Sequence, residues 1–363
     1  MSVDTAEILK KTPLYDAHAA LGAKMAGFGG WLMPIQYEGI LAEHLYTRQT
    51  VTVFDICHMG EFLLEADPVS SGLNRIVTQD IVNMPIGSCR YGFMLNESAG
   101  VIDDLIVYRL KENYWMLVVN AATISGDEEN IRKHLSGSYE LHNVSSTLGK
   151  LDVQGPRSQE VLANIFGTKI NGLRYYKFGE FTFENEACII SCTGYTGELG
   201  YEVYIKNDYA VKLWGLLLKI NLVKPAGLGC RDTLRLEMGY PLYGHELDQN
   251  HTPIAAGLEK FVDFSKDFIG KTALLKDQEQ GPKERLVCFK ADSRRAPRHG
   301  FGIYSQANRV GTVTSGSFSP SLAVGIGMGY ICGDCEIGKK LVVKDSGVEI
   351  PVTIVKKPFL SKN

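Results

Sequence analysis

The sequence predicts an α+β protein of two or three domains that ends in an all-β module. Three observations carry this. The chain has 363 residues, 45% of them hydrophobic and 22% charged, more than one core accommodates at roughly 150 residues per domain. Helical and strand periodicities are interspersed up to about residue 276 and almost purely strand-like beyond it. Between the two regimes lies DQEQGPK, residues 277–283, a polar stretch with a Gly-Pro pair that reads as an interdomain linker. Residues 1–276 then hold two α+β units, and residues 284–363 fold as a small antiparallel barrel or sandwich.

Apolar residues recurring every three or four positions mark helices at 5–21, 40–49, 125–135, 157–165, 209–220, 230–238 and 271–276. Residues 127–134 are mostly polar, so that helix is expected on the surface. Alternating or β-branched runs mark strands at 60–64, 91–95, 101–109, 114–119, 151–153, 187–192, 201–205, 286–290, 310–314 and 348–355. No repeat of 20–50 residues occurs, which excludes solenoids and propellers.

Several classes of function drop out. A formal net charge of -3 with no long basic run gives no footprint for nucleic acid. No apolar run approaches the roughly 18–20 residues needed to span a bilayer. The N-terminal MSVDTAEILKK has neither a signal-peptide core nor a transit-peptide look, so the cytoplasm is the expected compartment, or the mitochondrial matrix if a presequence has been removed. Eight scattered cysteines favour reduced thiols over a disulfide framework. Only Cys332-Gly-Asp-Cys335 has metal-like spacing, and it lacks a second ligand pair, so a turn between strands is expected there. The phosphate-loop, HExxH and GxSxG signatures are absent. Gly227-Leu-Gly229 departs from the dinucleotide fingerprint at Asp232, and Gly325-Ile-Gly327-Met-Gly329 reads as structural.

Three clusters carry chemistry. Asp103 and Asp104 lie inside the strand-like run 100–108, where adjacent side chains point to opposite faces. One carboxylate therefore faces inward and needs a donor, unless the pair ends a turn after residues 96–100. The run 192–202, CTGYTGELGYE, is read as a tight turn that gathers Tyr195, Glu198, Tyr201 and Glu202. Such a loop suits a flat heteroaromatic ligand with N–H donors, and equally a hairpin with solvated glutamates. In 226–237, Arg231 opens a helix with Arg235 one turn on, able to pair with Asp232 or Glu237 or to fork onto a ligand carboxylate. The eight histidines form no ligand-spaced set. His58 is expected to be a hydrogen-bonded structural residue, with a cleft-lining role as the alternative, and Trp31 a core or domain-contact aromatic.

Taken in order, FGGW (28–31), FDICHMGE (54–61), GVIDDLIVY (100–108), QGP (154–156), CTGYTGELGYE (192–202), AGLGCRDTLRLE (226–237), YGHELD (243–248), GTVTSGSFSPSL (311–322) and KKPF (356–359) resemble the aminomethyltransferase family of the glycine cleavage system. The resemblance runs the length of the chain. It implies a three-domain, cloverleaf-like folate-binding fold: two α+β, ferredoxin-like domains within residues 1–276, one centred on about 51–144, and a C-terminal antiparallel β-barrel at 284–363. It also implies a reaction. The aminomethyl carbon carried on the lipoyl arm of H-protein passes to tetrahydrofolate, giving 5,10-methylenetetrahydrofolate, ammonia and dihydrolipoyl H-protein. Tetrahydrofolate is then a co-substrate, and no metal, pyridoxal phosphate or nucleotide is expected.

Residue by residue, Asp104 matches the family's essential aspartate beside the reactive folate nitrogens. Tyr91, Ile106, Tyr108, Asn120, Tyr195 and Tyr240 match positions lining the folate cavity. Glu202 matches the carboxylate that reads the pterin N–H groups, and Arg231 an arginine near the folate. The pattern usually has Arg at Cys192 and Ser at Cys57. A related folate-binding protein of iron–sulfur cluster assembly is the alternative, but its Lys-Gly-Cys-Tyr-x-Gly-Gln-Glu motif is absent here. A folate-dependent demethylation module would carry a flavin domain, and no fingerprint for one occurs.

Overall fold

The computed structural model describes residues 9–361. The expected helix at 5–21 begins outside them; within them the segment forms a two-residue strand, Lys10–Lys11, and the short helix Tyr15–Ala20. Lys10–Lys11 joins a three-stranded sheet with Lys24–Phe28 and Trp31–Gln36, neither of which was expected.

Two larger sheets follow. One has six strands in the order Phe178–Phe183, Glu186–Ser191, Gly200–Lys206, Leu148–Gln154, Val51–Asp55 and Val223–Pro225. The other has five: Ser88–Leu95, Val101–Lys111, Tyr114–Val119, Gly60–Glu65 and Glu140–Asn143. The second sheet is therefore an insertion, because the chain leaves the first at Asp55 and returns to it at Leu148. Val51–Asp55 falls in the expected 51–144 unit yet pairs with Leu148–Gln154 of the other sheet.

Each sheet has one face buried under helices along its length, and period-2 alternation decides which residues meet them. Leu151, Val153, Val203 and Ile205 pack under the helices Ser158–Phe166 and Asn207–Leu217 through Val161, Leu162, Leu213 and Trp214. Phe62, Leu64, Leu105, Val107, Leu117 and Val119 pack under the helix Ile124–His134 through Ile131. That helix is surface-lying only in part, since Asp127 and Ile131 are both fully buried. The other faces of the two sheets turn toward each other, and Tyr108, Met116 and Val118 of one touch Phe178, Ile189 and Tyr204 of the other, while Phe54 packs on Cys230 and Leu234 of the helix Leu228–Glu237.

The third body is a closed six-stranded barrel, Glu284–Ala291, Val324–Cys332, Asn308–Ser319, Gly302–Ser305, Lys340–Asp345 and Val348–Val355, every pairing antiparallel. Its glycines are packing devices: a Cβ on Gly325 would lie 2.1 Å from the carbonyl oxygen of Arg295. The segment expected as a linker is mostly helix, because Lys271–Gln280 runs through it to the left-handed Gly281. Polar side chains at 277–280 suit the solvent side of a helix as well as they suit a loop, which is why the two readings diverge.

A buried ionic network fastens the barrel to the sheets. The helix Leu228–Glu237 carries Arg235, fully buried, which donates to Glu246 at 3.0 Å, Asp232 at 2.8 Å, the Tyr240 carbonyl at 3.0 Å and Ser315 of the barrel at 2.7 Å. Two residues on, Glu237 accepts from His44, Arg48, Ser319 and Ser321. Breaking a buried pair leaves an uncompensated charge. Arg235→Leu is therefore expected to destabilise the protein by about 3–5 kcal/mol in urea unfolding; a loss under about 1 kcal/mol would mean that Glu246 finds another partner.

Candidate active site

Register sets the first wall. Phe93 lies opposite Asp104, Tyr91 opposite Ile106 and Cys89 opposite Tyr108, with Val118 beyond Ile106. Asp104, Ile106 and Tyr108 thus share the inter-sheet face, and Asp103, Leu105 and Val107 the opposite one. Both aspartates sit inside the strand rather than at a turn. A Cβ on the preceding Gly100 would lie 1.8 Å from the Gln249 carbonyl oxygen, so only glycine lets that loop close over the strand's start.

Asn120, directly after Tyr114–Val119, clamps the pair. Its backbone N–H donates to Asp103 Oδ2 at 2.9 Å, and its Nδ2 to Asp103 Oδ1 and Asp104 Oδ1, both at 2.8 Å. Tyr91 Oη donates to Asp104 Oδ2 at 2.9 Å. Burial, followed by the neighbouring Asp103, pushes the Asp104 carboxyl up to about 7 against the two donors. This carboxyl takes or loses a proton near neutral pH without a cation to hold it.

The second wall solves the same problem with cations. Lys150 lies opposite Tyr204 and Asp152 opposite Glu202. Glu202 accepts from Thr193 Oγ1 at 2.6 Å and lies 3.5 Å from the Lys150 ammonium, itself buried. Burial alone would raise Glu202, but Lys150, Thr193 and Arg231 together hold it below the ordinary carboxylate value. Arg231 donates to Asp152. A hydrogen-bonded chain joins the walls: Tyr108 Oη meets Ser191 at 3.1 Å and Tyr204 Oη at 2.9 Å, and Ser191 meets Thr193 at 2.6 Å.

The residues expected from the sequence fall into three groups. Tyr91, Asp104, Ile106, Tyr108 and Asn120 form the first wall. Glu202 stands on the second. Tyr195, Tyr240 and Arg231 make a corner, with the two tyrosine rings stacked at 5.9 Å and the Arg231 guanidinium 5.0 Å from the Tyr195 ring. The run 192–202 does not gather its four polar residues, however. Tyr201 points into the core, where its hydroxyl meets Gln159, because it alternates with Glu202 along Gly200–Lys206, and Glu198 pairs with Arg48. Nor does Arg235 pair with Glu237, whose partners are His44 and Arg48.

Lys150, Asp152, Ser191 and Thr193 were not singled out from sequence. The available signal was Lys150, Asp152 and Gln154 at period 2 in a strand whose other residues are apolar. His58 is buried with Nδ1 lacking a partner rather than hydrogen-bonded there, and both oxygens of the fully buried Glu61 are likewise unpartnered. Burial holds Glu61 up at about 8 and His58 down at about 4. Cys57 stands in for the usual serine by bonding the backbone N–H and carbonyl of Lys150 through Sγ. Cys192 is buried in the core under the second wall.

A cavity of about 640 Å³ opens beside the first wall, lined by Tyr91, Tyr175, Tyr176, Lys177, Lys260 and Phe261. Tyr91 belongs both to this cavity and to Asp104. Among the described residues no group of three His, Cys, Asp or Glu is arranged to hold a metal ion, and no helix is long and apolar enough to cross a membrane.

The raised Asp104 makes a stability prediction with a definite sign. Unfolded, this carboxyl ionises near 3.8; folded, near 7. Between those values the folded protein holds the extra proton, so stability falls as pH rises through the window. Asp104→Asn removes that loss. The variant is expected to be more stable than the parent at pH 8 by roughly 1–3 kcal/mol, with the advantage gone at pH 4. Thermal unfolding across pH measures it, and an equal gain at both pH values would rule out ionisation as the cause.

The comparisons agree with this architecture. The GCVT N-terminal domain model matches residues 14–266 and the glycine cleavage T-protein C-terminal barrel domain model residues 284–360. Aminomethyltransferase of Halothermothrix orenii is 42% identical over 97% of this chain and 100% of its own, and that of Thermotoga neapolitana 40% identical over 97% and 98%. The crystal structure of glycine cleavage system aminomethyltransferase T from Bartonella henselae superimposes with a TM-score of 0.92 at 34% identity, covering 97% of this chain and 98% of that one. Matched by both models and by full-length relatives, this chain belongs to the glycine cleavage T-protein family.

Proposed function

We propose that the inter-sheet seam is a tetrahydrofolate site at which this protein, as the aminomethyltransferase of the glycine cleavage system, moves a carbon from the lipoyl arm of H-protein to folate. The observation that carries the assignment is Asp104, half-buried, held by Tyr91 and Asn120 and poised to ionise near neutral pH. The reaction is a group transfer without net oxidation. The carbon exchanges one bond to nitrogen and one to sulfur for two bonds to folate nitrogens, and the two protons displaced there leave on ammonia and the thiol.

Asp104 is placed to orient an N–H of the attacking amine and, once ionised, to stabilise positive charge on the carbon as ammonia departs. Tyr91 and Asn120 fix its two oxygens, so little reorganisation is needed when charge develops. Across the seam Glu202, kept ionised by Lys150 and Thr193, suits the N–H donors of a pterin edge. Ile106, Tyr195 and Tyr240 provide apolar and aromatic surface for a flat ring, with the fully buried Tyr108 packed behind Ile106. Arg231 is already engaged by Asp152, so its part is to hold that wall and the Tyr195 ring rather than a ligand carboxylate. We place the division between the catalytic region, 1–276, and the barrel, 284–363, at the end of the helix Lys271–Gln280, and the reaction in the cytoplasm.

With purified protein and aminomethyl-loaded H-protein, release of ammonia is expected only when tetrahydrofolate is present. Asp104→Asn is expected to keep tetrahydrofolate binding within a few-fold while kcat falls at least 100-fold, whereas near-parental turnover would remove Asp104 from the chemistry. Glu202→Gln is expected to weaken tetrahydrofolate binding by about tenfold, roughly 1.4 kcal/mol, read by titration calorimetry. An unchanged Kd would move the pterin edge away from Glu202.

A further inference from the structure

Behind Asp104 lies a second carboxyl layer that the reaction itself does not use. Asp103 turns away from the seam toward the helix Ile124–His134, where it meets Asp127 of the first turn. Both are fully buried. Asp103 accepts two hydrogen bonds from Asn120, but neither Asp127 oxygen has a donor among the described residues. The groups that face the cluster are Asp104 from the same strand, Tyr91 from Ser88–Leu95, Tyr243 from the loop above, and Tyr195 toward Asp104; none is a cation. Two carboxyls in contact away from water cannot both stay ionised, so one proton lies between them and gives each oxygen pair a partner.

The connection to the reacting carboxyl is geometric. The Asn120 amide is shared between Asp103 and Asp104 at 2.8 Å each, so a turn of the Asp103 carboxyl moves the amide that holds Asp104. We propose that Asp127 is a positioning residue for Asp104: it shares a proton with Asp103, and the bridged pair fixes Asn120, which holds the reacting carboxyl. The inference rests on the reading of Asp104 given above. The bridged pair carries one negative charge, shared between Asp103, to which Asn120 donates twice, and Asp127. Burial raises Asp104 most, and that charge adds to it, so the Asp104 proton stays within reach at neutral pH.

The test uses the full-length protein with loaded H-protein and tetrahydrofolate. Asp127→Ala is expected to lower kcat at least tenfold with KM for tetrahydrofolate within about twofold. Asp127→Asn, whose amide can donate to an ionised Asp103, is expected to recover most of that loss. Asp103→Asn shifts the remaining charge to the more distant Asp127, and the acidic limb of the kcat profile is expected to move down by about one pH unit. A folded Asp127→Ala protein with parental kcat, or an Asp103→Asn profile that coincides with the parent's, overturns the proposal. If Asp127→Ala does not fold, the Asp103→Asn profile decides alone. A parent protein that releases no ammonia with tetrahydrofolate overturns the functional reading together with this one, whereas an active parent matched by its variants overturns only the role of Asp127.

Discussion

A carboxyl removed from water must be given a cation or a proton, and the arrangement of this protein between its two sheets follows from that requirement. Inter-sheet faces are ordinarily apolar. Here they carry Asp104, Glu202, Lys150, Asp152 and Glu61, and the two walls meet the requirement in opposite ways. The six-stranded sheet supplies Lys150 and Arg231, which hold Glu202 below the usual carboxylate range and limit the rise that burial gives Asp152 to about 6. The five-stranded sheet supplies only neutral donors, Asn120 and Tyr91, and its acids hold protons well above the usual range. One wall is suited to steady recognition of N–H groups, the other to a charge that changes during a reaction. That division of labour comes from which cations are within reach, not from the carboxyls themselves.

Such a seam is unfavourable on its own, and it persists because the elements bearing it are held from outside. Both sheets have a fully covered apolar face, with Trp214 and Leu213 under one layer and Trp115 and Ile131 under the other. The barrel is fixed independently by Arg235 and Glu237, whose partners span the helices Ile40–Gln49 and Leu228–Glu237 and the barrel strand Asn308–Ser319. Tyr195 and Tyr240 project from the segments beside this network, and Arg235, which holds the Tyr240 carbonyl, also faces Tyr195, so the same ion pairs help position the aromatic corner of the seam.

Much of this was legible in the sequence where one local rule decides the outcome. The strand Val101–Lys111 follows from β-branched alternation, and the alternation itself separates Asp103 from Asp104. The helix Ile40–Gln49 and the strand Val348–Val355 appear with the bounds their patterns give. Long-range pairing was less visible. Val51–Asp55 belongs to the sheet from which the chain has just not yet departed, and nothing local distinguishes that from joining the next one. Lys150 reads as a solvated charge, because only the partner sheet turns its side of the strand into an interior. Asp127 was assigned to a surface by the polar composition of its helix, and composition does not reveal that one acid faces another beneath it. Of the residues the family resemblance pointed to, Asp104 and Glu202 stand on facing walls, and Arg231 is engaged by the neighbouring Asp152.

The topology explains why His58 Nδ1 and the Glu61 carboxyl are left without hydrogen-bond partners. The chain passes from one sheet to the other once on the way out, between Asp55 and Gly60, and this crossing holds His58, with Glu61 the second residue of the strand that follows. A short turn between two facing sheets, buried at His58, keeps its polar side chains from solvent. It also cannot discard them without losing the polar lining that the seam requires. Glu61 therefore keeps a proton and His58 stays neutral, with Lys150 between Glu61 and Glu202 as the nearest charge to both acids. The inserted sheet thus brings the proton-holding wall to the cation-bearing one through a short connection of 56–59, and a longer or apolar connection would separate the two chemistries that the site combines.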